Sequence, residues 1–193
     1  MEDKDARVKL NLGCGFSKVD GWVNVDKFDT FSPDLILDLE QTPWPFEDNS
    51  VDEIMLKHVL EHLGAEVKVF LAIMQEIYRV CRPGAKVRIE VPHPRHDDFI
   101  ADPTHVRIVT PDVLGLFSKR NNQMWREIGA ANSQLAAYLD VDFELRATEM
   151  ILADRFQEAY DRGEYTFAQM IDLARSQNNV FSEYRMDVEV IKG

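Results

Sequence analysis

The sequence is short of cysteine, of positive charge and of long apolar runs, and each shortage excludes a class of protein. Cys14 and Cys81 are the only cysteines, too few for a disulfide scaffold or a cysteine-based zinc site. No apolar stretch approaches the roughly 20 residues of a membrane span, and the opening residues MEDKDARVK are too polar for a signal peptide. We therefore expect a cytoplasmic chain with two free thiols and no membrane attachment.

Positive charge is scarce, because 22 lysines and arginines stand against 34 acidic residues, a formal net charge of −12. Proteins that bind nucleic acid neutralise its phosphates with basic side chains, and the only local basic cluster here is Lys119-Arg120. The composition disfavours a nucleic-acid partner and favours a small-molecule substrate. It is compatible with a homodimer.

The apolar pattern of the first half predicts an α/β sheet. Short apolar runs that we interpret as strands lie at 8–13, 22–26, 34–39, 51–57 and 85–92. Between the fourth and fifth runs, apolar residues from Val67 to Cys81 recur at helical spacing, and we expect Pro83-Gly84 to stop that helix. Strands that alternate with helices are typical of a mainly parallel sheet.

The second half of the chain is less regular. We predict a polar stretch at 93–105 and a helix at 111–119. Two antiparallel strands are predicted at 141–150 and 182–191, with a helical insertion between them at about 151–176. The sequence contains no internal repeat, low-complexity segment or linker. Its 193 residues are enough to bury one core, so we expect a single domain over 1–193.

The first strand ends abruptly in Gly-Cys-Gly at 13–15. Ligands of open α/β sheets bind beyond the carboxyl ends of the strands, and glycine there lets the backbone approach a ligand closely. A simple turn is the alternative. Asp26 ends the second strand and is placed to accept hydrogen bonds from a ribose diol. Asp38 and Leu39, near the end of the third strand, could flank an adenine, so the three strand ends together predict a nucleoside site.

Five successive blocks, LNLGCG, NVD, DLEQTPWPFEDNSVDEI, HVLEHL and RVCRPGAKVRIEVP, occur in order within about residues 8–117. They resemble the motifs of the class I S-adenosylmethionine-dependent methyltransferases with a type-11-like methyltransferase domain. The resemblance implies an α/β, Rossmann-like, seven-stranded, mainly parallel sheet with helices on both faces and strand 7 antiparallel. It also implies S-adenosyl-L-methionine as the cofactor, held by the half of the chain at about 8–92. The residues implied for cofactor binding are Leu12, Gly13, Cys14, Gly15, Asp26, Lys27, Asp38, Leu39, Lys57 and His58.

Two departures from the family pattern concern the loops. Only six residues separate Gly15 from Trp22, fewer than the dozen or so of a usual parallel crossover, so the first helix should be one turn or absent. Because the first strand begins almost at the N-terminus, we expect no helical cap there, and segments at about 93–120 and 151–181 should cover the substrate.

A dinucleotide-binding enzyme is the main alternative to a methyltransferase, but its G-x-G-x-x-G motif needs a third glycine where this chain has Lys18.

All five histidines follow the fourth or the fifth strand, beside the expected methyl group. A histidine can remove a proton from a methyl acceptor at neutral pH, and we predict catalytic roles for His58, Glu61 and His93. The spacing of His58, Glu61 and His62 would place all three on one helical face. The predicted substrate-binding residues are His96, Asp97, Asp98 and His105.

The segment HPRHDDFIADPTH at 93–105 also invites a metal interpretation, because histidine and aspartate bind divalent ions. The segment lacks a recognised ligand spacing. We therefore expect a loop that hydrogen-bonds a polar substrate, and no metal.

The predicted function is transfer of a methyl group from S-adenosylmethionine to a hydroxyl or amine of a small polar molecule such as a sugar or natural product. The Asn/Asp-Pro-Pro-aromatic signature of DNA amino-methyltransferases is absent after the fourth strand, where the chain has KHVL. Together with the acidic net charge, this disfavours base methylation. Two alternatives stay open, a protein methyltransferase and a non-catalytic nucleoside-binding partner subunit.

Overall fold

The protein, described over residues 7–193 in a computed structural model, is built around a seven-stranded sheet. Its strands in chain order are β1 (Val8–Leu12), β2 (Val23–Asp26), β3 (Leu35–Ile36), β4 (Val51–Lys57), β5 (Cys81–Pro92), β6 (Phe143–Leu152) and β7 (Phe181–Val190). They lie in the order β3-β2-β1-β4-β5-β7-β6. Strands β1 to β5 pair in parallel, whereas β7 is antiparallel to both β5 and β6. The predicted Rossmann-like sheet is confirmed.

Helices pack around this sheet. Within residues 7–193 the α-helices are α1 (Val67–Val80), α2 (Asp97–Ile100), α3 (Pro111–Gly115), α4 (Lys119–Glu127), α5 (Leu135–Leu139), α6 (Asp154–Asp161) and α7 (Phe167–Ala174). Two 3-10 turns, Asp29–Phe31 and Leu60–His62, lie at the strand ends. No helix in the described part of the chain has the length and apolarity needed to cross a membrane.

Helix α1 forms where the helical spacing predicts it. Phe70, Ile73, Met74 and Ile77 recur at helical spacing on its buried side and join the main core. The helix ends at Val80, before the Pro-Gly pair expected to stop it. The reason is that the next residue, Cys81, already pairs with β4, so the Pro-Gly pair lies inside β5.

Three predicted elements differ in extent from those observed. The strand expected at 34–39 is reduced to Leu35–Ile36, because the chain turns after it, where Asp38 Oδ1 accepts a hydrogen bond from Glu40 N. The helix expected at 111–119 is divided into α3 and α4, because Ser118 caps a new helix by accepting a hydrogen bond from Asn121 N. The insertion at 151–176 consists of α6 and α7, which pack with β6 and β7 around a small second core.

The link from β1 to β2 contains no helix, as its short length predicts. It covers a buried pair of amides instead of an apolar surface. Asn11 Nδ2 donates to Asn24 Oδ1 at 2.9 Å and to Ser17 O at 2.9 Å, and Val19 N donates to Asn24 Oδ1 at 2.8 Å. The loop thereby satisfies polar groups that would be costly to bury without partners.

The two faces of the central strands differ in character. One face is apolar, with Leu10 and Ile54 side by side in the core. The other carries opposite charges on neighbouring strands: Lys9 Nζ lies 3.0 Å from Glu53 Oε1, and Arg88 Nη1 lies 2.9 Å from Asp187 Oδ1. Cross-strand pairs of opposite charge favour this register.

A buried carboxylate joins α1 to the loop before β4. Glu76 is 8% exposed, and its Oε2 accepts hydrogen bonds from Trp44 N at 2.7 Å and from Arg79 Nη2 at 2.8 Å. Arg79 also donates to the Phe46 carbonyl and to Asp48 Oδ1. The Arg79 guanidinium lowers the pKa of Glu76, and the Trp44 N–H adds to this effect against the opposing effect of burial.

We predict that Glu76→Gln lowers the free energy of unfolding by about 1–3 kcal/mol, because it leaves buried partners unsatisfied. A carboxylate with a lowered folded-state pKa stabilises the fold above its ordinary pKa of 4.5 and loses that contribution as the pH falls below it. Urea unfolding at pH 7 and at stepwise lower pH should therefore show a smaller acid-dependent loss in the variant. The exposed Glu47→Gln is the matched control, and equal stability of the two variants at pH 7 would contradict the prediction.

Candidate functional site

The glycine turn after β1 is shaped first by the fold itself. Gly13 has φ +67°, and a Cβ placed on it would lie 2.5 Å from Val59 Cγ2. Both the left-handed conformation and the contact therefore demand glycine there. Gly15 also has φ +47°, but a Cβ there would meet nothing within 4 Å. The turn is thus required by packing after β1, and its second glycine borders open space.

Asp26, the last residue of β2, holds this turn. It is 7% exposed, its Oδ2 accepts a hydrogen bond from Gly15 N at 2.9 Å, and its Oδ1 accepts one from Phe28 N at 3.0 Å. A carboxylate oxygen can accept more than one hydrogen bond. Asp26 therefore ties the ends of β1 and β2 together while its oxygens keep capacity for a ligand.

A cavity of about 520 Å³ opens at the carboxyl ends of β1 to β4, a volume within the range of about 300–1,000 Å³ that is usual for small-molecule sites. β1 and β4 are neighbours at the point where the strand order reverses, the usual ligand position in open α/β sheets. Six of the ten residues implied for cofactor binding line this cavity: Gly13, Asp26, Lys27, Asp38, Leu39 and His58.

Four of the implied residues lie outside the cavity wall. Leu12 and Cys14 are buried in the protein, and burial foremost raises the pKa of the Cys14 thiol. Gly15 contacts the Asp26 carboxylate through its backbone. Lys57 points to Glu90, with Nζ 3.8 Å from Oε2. Leu12 adjoins the lining Gly13 in sequence and Gly15 is bonded to the lining Asp26, so the backbone of both stays next to the cavity.

Several lining residues escaped the sequence analysis. They are Phe28, Phe31, Leu37, Glu40, Val59, Leu63 and Thr104; His62, expected beside His58 but not as a binding residue, also lines the cavity. The aromatic residues of this set follow β2 directly, and the rings of Phe28 and Phe31 lie 6.3 Å apart. Their position just after the strand carrying Asp26 is a signal that could have been used. Thr104 comes from a distant loop, and no sequence spacing connects it with the strand ends.

His58 stands at the end of β4 in a strained conformation. Its φ is +52°, which is uncommon for a residue other than glycine and is often found at functional sites. Its Nε2 lies 2.8 Å from Glu183 Oε2 and its Nδ1 lies 3.5 Å from Glu61 Oε1. The Glu61 carboxylate foremost, with Glu183, raises the pKa of His58, and burial opposes this shift.

The helical face expected at 58–62 does not form. His58 lies outside any helix, and only Leu60–His62 make a 3-10 turn. His58 and Glu61 still meet, but the His62 ring lies against the His105 ring at a centroid distance of 4.5 Å. The reason is that the left-handed His58 redirects the chain before the turn begins.

His93 is buried and is not one of the residues that line the cavity. It is 6% exposed and packs against Tyr184, at a ring centroid distance of 4.9 Å. Its Nδ1 accepts a hydrogen bond from Arg95 N at 3.2 Å. Burial foremost lowers the pKa of His93, with the nearby His96 and Arg95 adding to the effect. The structure does not bring His93 together with His58 in the cavity.

The residues predicted to bind substrate make local contacts instead of lining the cavity. His96 caps α2, its Nδ1 accepting a hydrogen bond from Asp98 N at 3.2 Å, and Asp97 N donates to Asn179 Oδ1 at 2.8 Å. His105 Nδ1 bonds to the Phe99 carbonyl at 2.9 Å. Of the segments expected to cover the substrate, 93–120 contributes only Thr104 to the cavity wall in the described part of the chain, and 151–181 contributes nothing.

Comparison with known proteins agrees with this geometry. Residues 22–89 match the family model described as a methyltransferase domain, of type 11. The matched region runs from the start of β2 into β5 and includes Asp26, Asp38 and His58. Comparison with curated protein sequences yields no match.

Solved structures resemble the chain over nearly its whole length. An S-adenosylmethionine-dependent methyltransferase from Archaeoglobus fulgidus is 17% identical, with a TM-score of 0.60 over 96% of this chain and 87% of that one. One from Mesorhizobium loti is 13% identical, with a TM-score of 0.52 over 98% and 93%. A geranyl diphosphate methyltransferase in complex with S-adenosylmethionine is 12% identical, with a TM-score of 0.50 over 96% and 79%.

At these identities the structural likeness establishes the fold, and the family model identifies the domain that contains the cavity. The strand order, the glycine turn and the acidic residue ending β2 are consistent with both. The chain has the fold of S-adenosylmethionine-dependent methyltransferases, and its residues 22–89 match the model of a type-11 methyltransferase domain.

Proposed function

We propose that this methyltransferase acts on a hydroxyl or amine of a small polar molecule such as a sugar or natural product. The observation that carries the proposal is that hydrogen-bonding side chains and apolar side chains line the same cavity. His58, His62 and Thr104 line it together with Leu39 and Val59. A polar acceptor can hydrogen-bond to the first group while the second surrounds the apolar part of a bound nucleoside. The net charge of −12 argues against a nucleic-acid acceptor.

The residues present fit S-adenosylmethionine. Each Asp26 oxygen accepts one backbone N–H and retains a lone pair for the hydroxyls of a ribose. Leu37 and Leu39 can cover an adenine ring, with Asp38 beside them at the cavity wall. Gly13 offers a backbone without a side chain next to the methionine part.

We predict that Asp26→Asn weakens binding of S-adenosylhomocysteine by about 1–3 kcal/mol, the scale of lost hydrogen bonds to a charged group. Titration calorimetry on the two proteins measures this as a Kd raised by about 5- to 200-fold. The exposed Asp29→Asn, which changes the same chemical group outside the cavity, is the control. Undiminished affinity in a folded Asp26→Asn protein would be inconsistent with a ribose contact at Asp26.

The acceptor must lose a proton when it gains the methyl group, and His58 is our candidate for the base. S-adenosylmethionine, when bound, supplies a methyl carbon on a positively charged sulfur, which leaves as a neutral thioether. His58 lines the cavity, and because its Nε2 is paired with Glu183 Oε2 at 2.8 Å, Nδ1 is the ring nitrogen that accepts the proton of the acceptor hydroxyl or amine. Glu61 and Glu183 act as positioning residues, because their carboxylates approach opposite nitrogens of the His58 ring.

Glu183 was missed in the sequence analysis. It lies in β7, far from the motif blocks, and its ion pair with His58 arises because β7 inserts between β5 and β6. His93, also predicted as a catalytic residue, is a weaker candidate than His58, since its ring packs against Tyr184 outside the cavity wall.

We predict that His58→Gln lowers methyl transfer about 10²–10⁴-fold, the usual contribution of a general base, while the Kd for S-adenosylhomocysteine changes little. Turnover is measured as S-adenosylhomocysteine release with a panel of sugars, amines and hydroxylated natural products. His96→Gln, a histidine outside the cavity wall, is the matched control. Full activity in His58→Gln would rule out the base assignment.

The same assay, extended to protein acceptors, separates the alternatives. Release of S-adenosylhomocysteine only with protein acceptors would favour a protein methyltransferase. A chain that binds the cofactor but releases none with any acceptor would be the non-catalytic partner subunit that the sequence left open.

A further inference from the structure

We propose that Glu61, His62 and His105 form a binding site for a divalent transition-metal ion, with zinc as the representative. One ligand atom from each residue lies within 4.8 Å of the other two. One carboxylate and two imidazoles are a ligand set found in zinc proteins, where three protein ligands leave a fourth position open. Because Glu61 and His62 are adjacent in sequence and His105 is distant, no motif spacing reveals this cluster, and the expectation of no metal site rests on that missing spacing.

The buried carboxylate of Glu61 is the observation that points to a cation. Glu61 is 1% exposed, and neither of its oxygens accepts a hydrogen bond from any residue within 7–193. Within residues 7–193 its ion-pair contact is with His58, whose Nδ1 lies 3.5 Å from Oε1 outside hydrogen-bonding geometry. A buried carboxylate without partners is costly, and a bound cation is one of the few groups that offsets this cost.

The hydrogen bonds of His62 orient it as a metal ligand. The Thr104 hydroxyl donates its proton to Asp102 Oδ1 at 2.7 Å. Thr104 Oγ1 must then act as the acceptor in its 2.9 Å contact with His62 Nδ1. In the neutral ring the proton is on Nδ1, and Nε2 keeps its lone pair for an ion. A histidine held by a hydroxyl and a carboxylate in this way is typical of metal sites.

His105 is held in the same manner by a different partner. Its Nδ1 is 2.9 Å from the Phe99 carbonyl, which can only accept, so Nδ1 donates and Nε2 carries the lone pair. Asp102 Oδ2, 3.9 Å from His105 Nε2, adds negative charge beside the cluster. The two imidazoles and the carboxylate therefore present acceptors to one another with no donor between them, an arrangement that favours a cation.

The three ligand atoms, up to 4.8 Å apart, are more widely spaced than in a zinc-bound site. Ligand atoms of a tetrahedral zinc ion lie about 3.3 Å apart, given bonds of about 2.0–2.1 Å, so the three residues would draw together on binding. His62 is only partly buried, so its ring has room to move, and it also lines the cavity. An ion bound here is thus part of the cavity wall. It would compensate the negative charge of Glu61, and His58 would keep its ion pair with Glu183.

Direct metal binding tests the inference without any methyl acceptor. The full chain, free of affinity tag and stripped with chelator, is titrated with zinc chloride by calorimetry, and metal content is measured by mass spectrometry. We expect one zinc ion per chain and a rise in melting temperature by mass action. Cobalt(II) in place of zinc should give the visible absorption of an ion bound by nitrogen and oxygen ligands.

Three variants localise the ion. Glu61→Gln and His62→Ala should each lower zinc affinity by more than about 100-fold, beyond the usual cost of changes outside the ligands. Thr104→Val, which removes only the hydroxyl that orients His62, should lower it about 10-fold. His96→Ala, in the same segment as His105 but outside the cluster, is the matched control and should bind as the unaltered chain does.

A wild-type chain that binds no zinc in a 1:1 complex would overturn the inference, and so would unchanged affinity in His62→Ala. Equal loss in His96→Ala would overturn it as well, because the ion would then be bound elsewhere. His62 is partly exposed, so His62→Ala should fold even if Glu61→Gln does not, and the cobalt spectrum requires no variant. Cofactor binding by the same wild-type sample is measured separately, so failure of the metal site and failure of the cofactor site are distinguishable.

Discussion

The hydrogen bond from Gly15 N to Asp26 Oδ2 is the contact on which the cavity depends. In a parallel α/β unit the N–H groups beyond the first strand are usually taken up by a helix, but the β1–β2 link has none. Its backbone donors must find other acceptors: Cys14 N bonds to Val25 O, Ser17 N to Cys14 O, and Gly15 N to the Asp26 carboxylate. The Asp26 carboxylate that lines the cavity thus also holds the glycine turn after β1 in place.

The shortened link has consequences for the rest of the sheet. Where a helix would bury apolar side chains, this chain buries the Asn11–Asn24 amide pair, and farther along the same face it places ion pairs between strands. The apolar side packs against α1. Most of the core therefore comes from one side of the sheet, and polar contacts specify the register on the other side.

The five histidines lie near one edge of the sheet but have different contacts. His58 lies in the cavity wall between two carboxylates, and His62 and His105 contact each other beside Glu61. His93 packs against Tyr184, and His96 caps α2. Their grouping in sequence reflects the loops after β4 and β5, whereas their chemistry depends on which neighbours each loop brings to them.

The sequence by itself determined the parallel sheet, its seven strands, helix α1 and the strand ends that line the cavity. These features rest on local patterns: apolar alternation, helical spacing and turn residues act over a few positions, and Asp26 and Asp38 reach the cavity because Asp26 ends β2 and Asp38 follows the neighbouring β3. Only the tertiary structure decided that Val59 requires Gly13 to be glycine, that Glu183 pairs with His58, and that Glu61 meets His105. Each of these contacts joins residues distant in the chain or depends on a left-handed backbone at one residue, and no local pattern specifies where such residues meet.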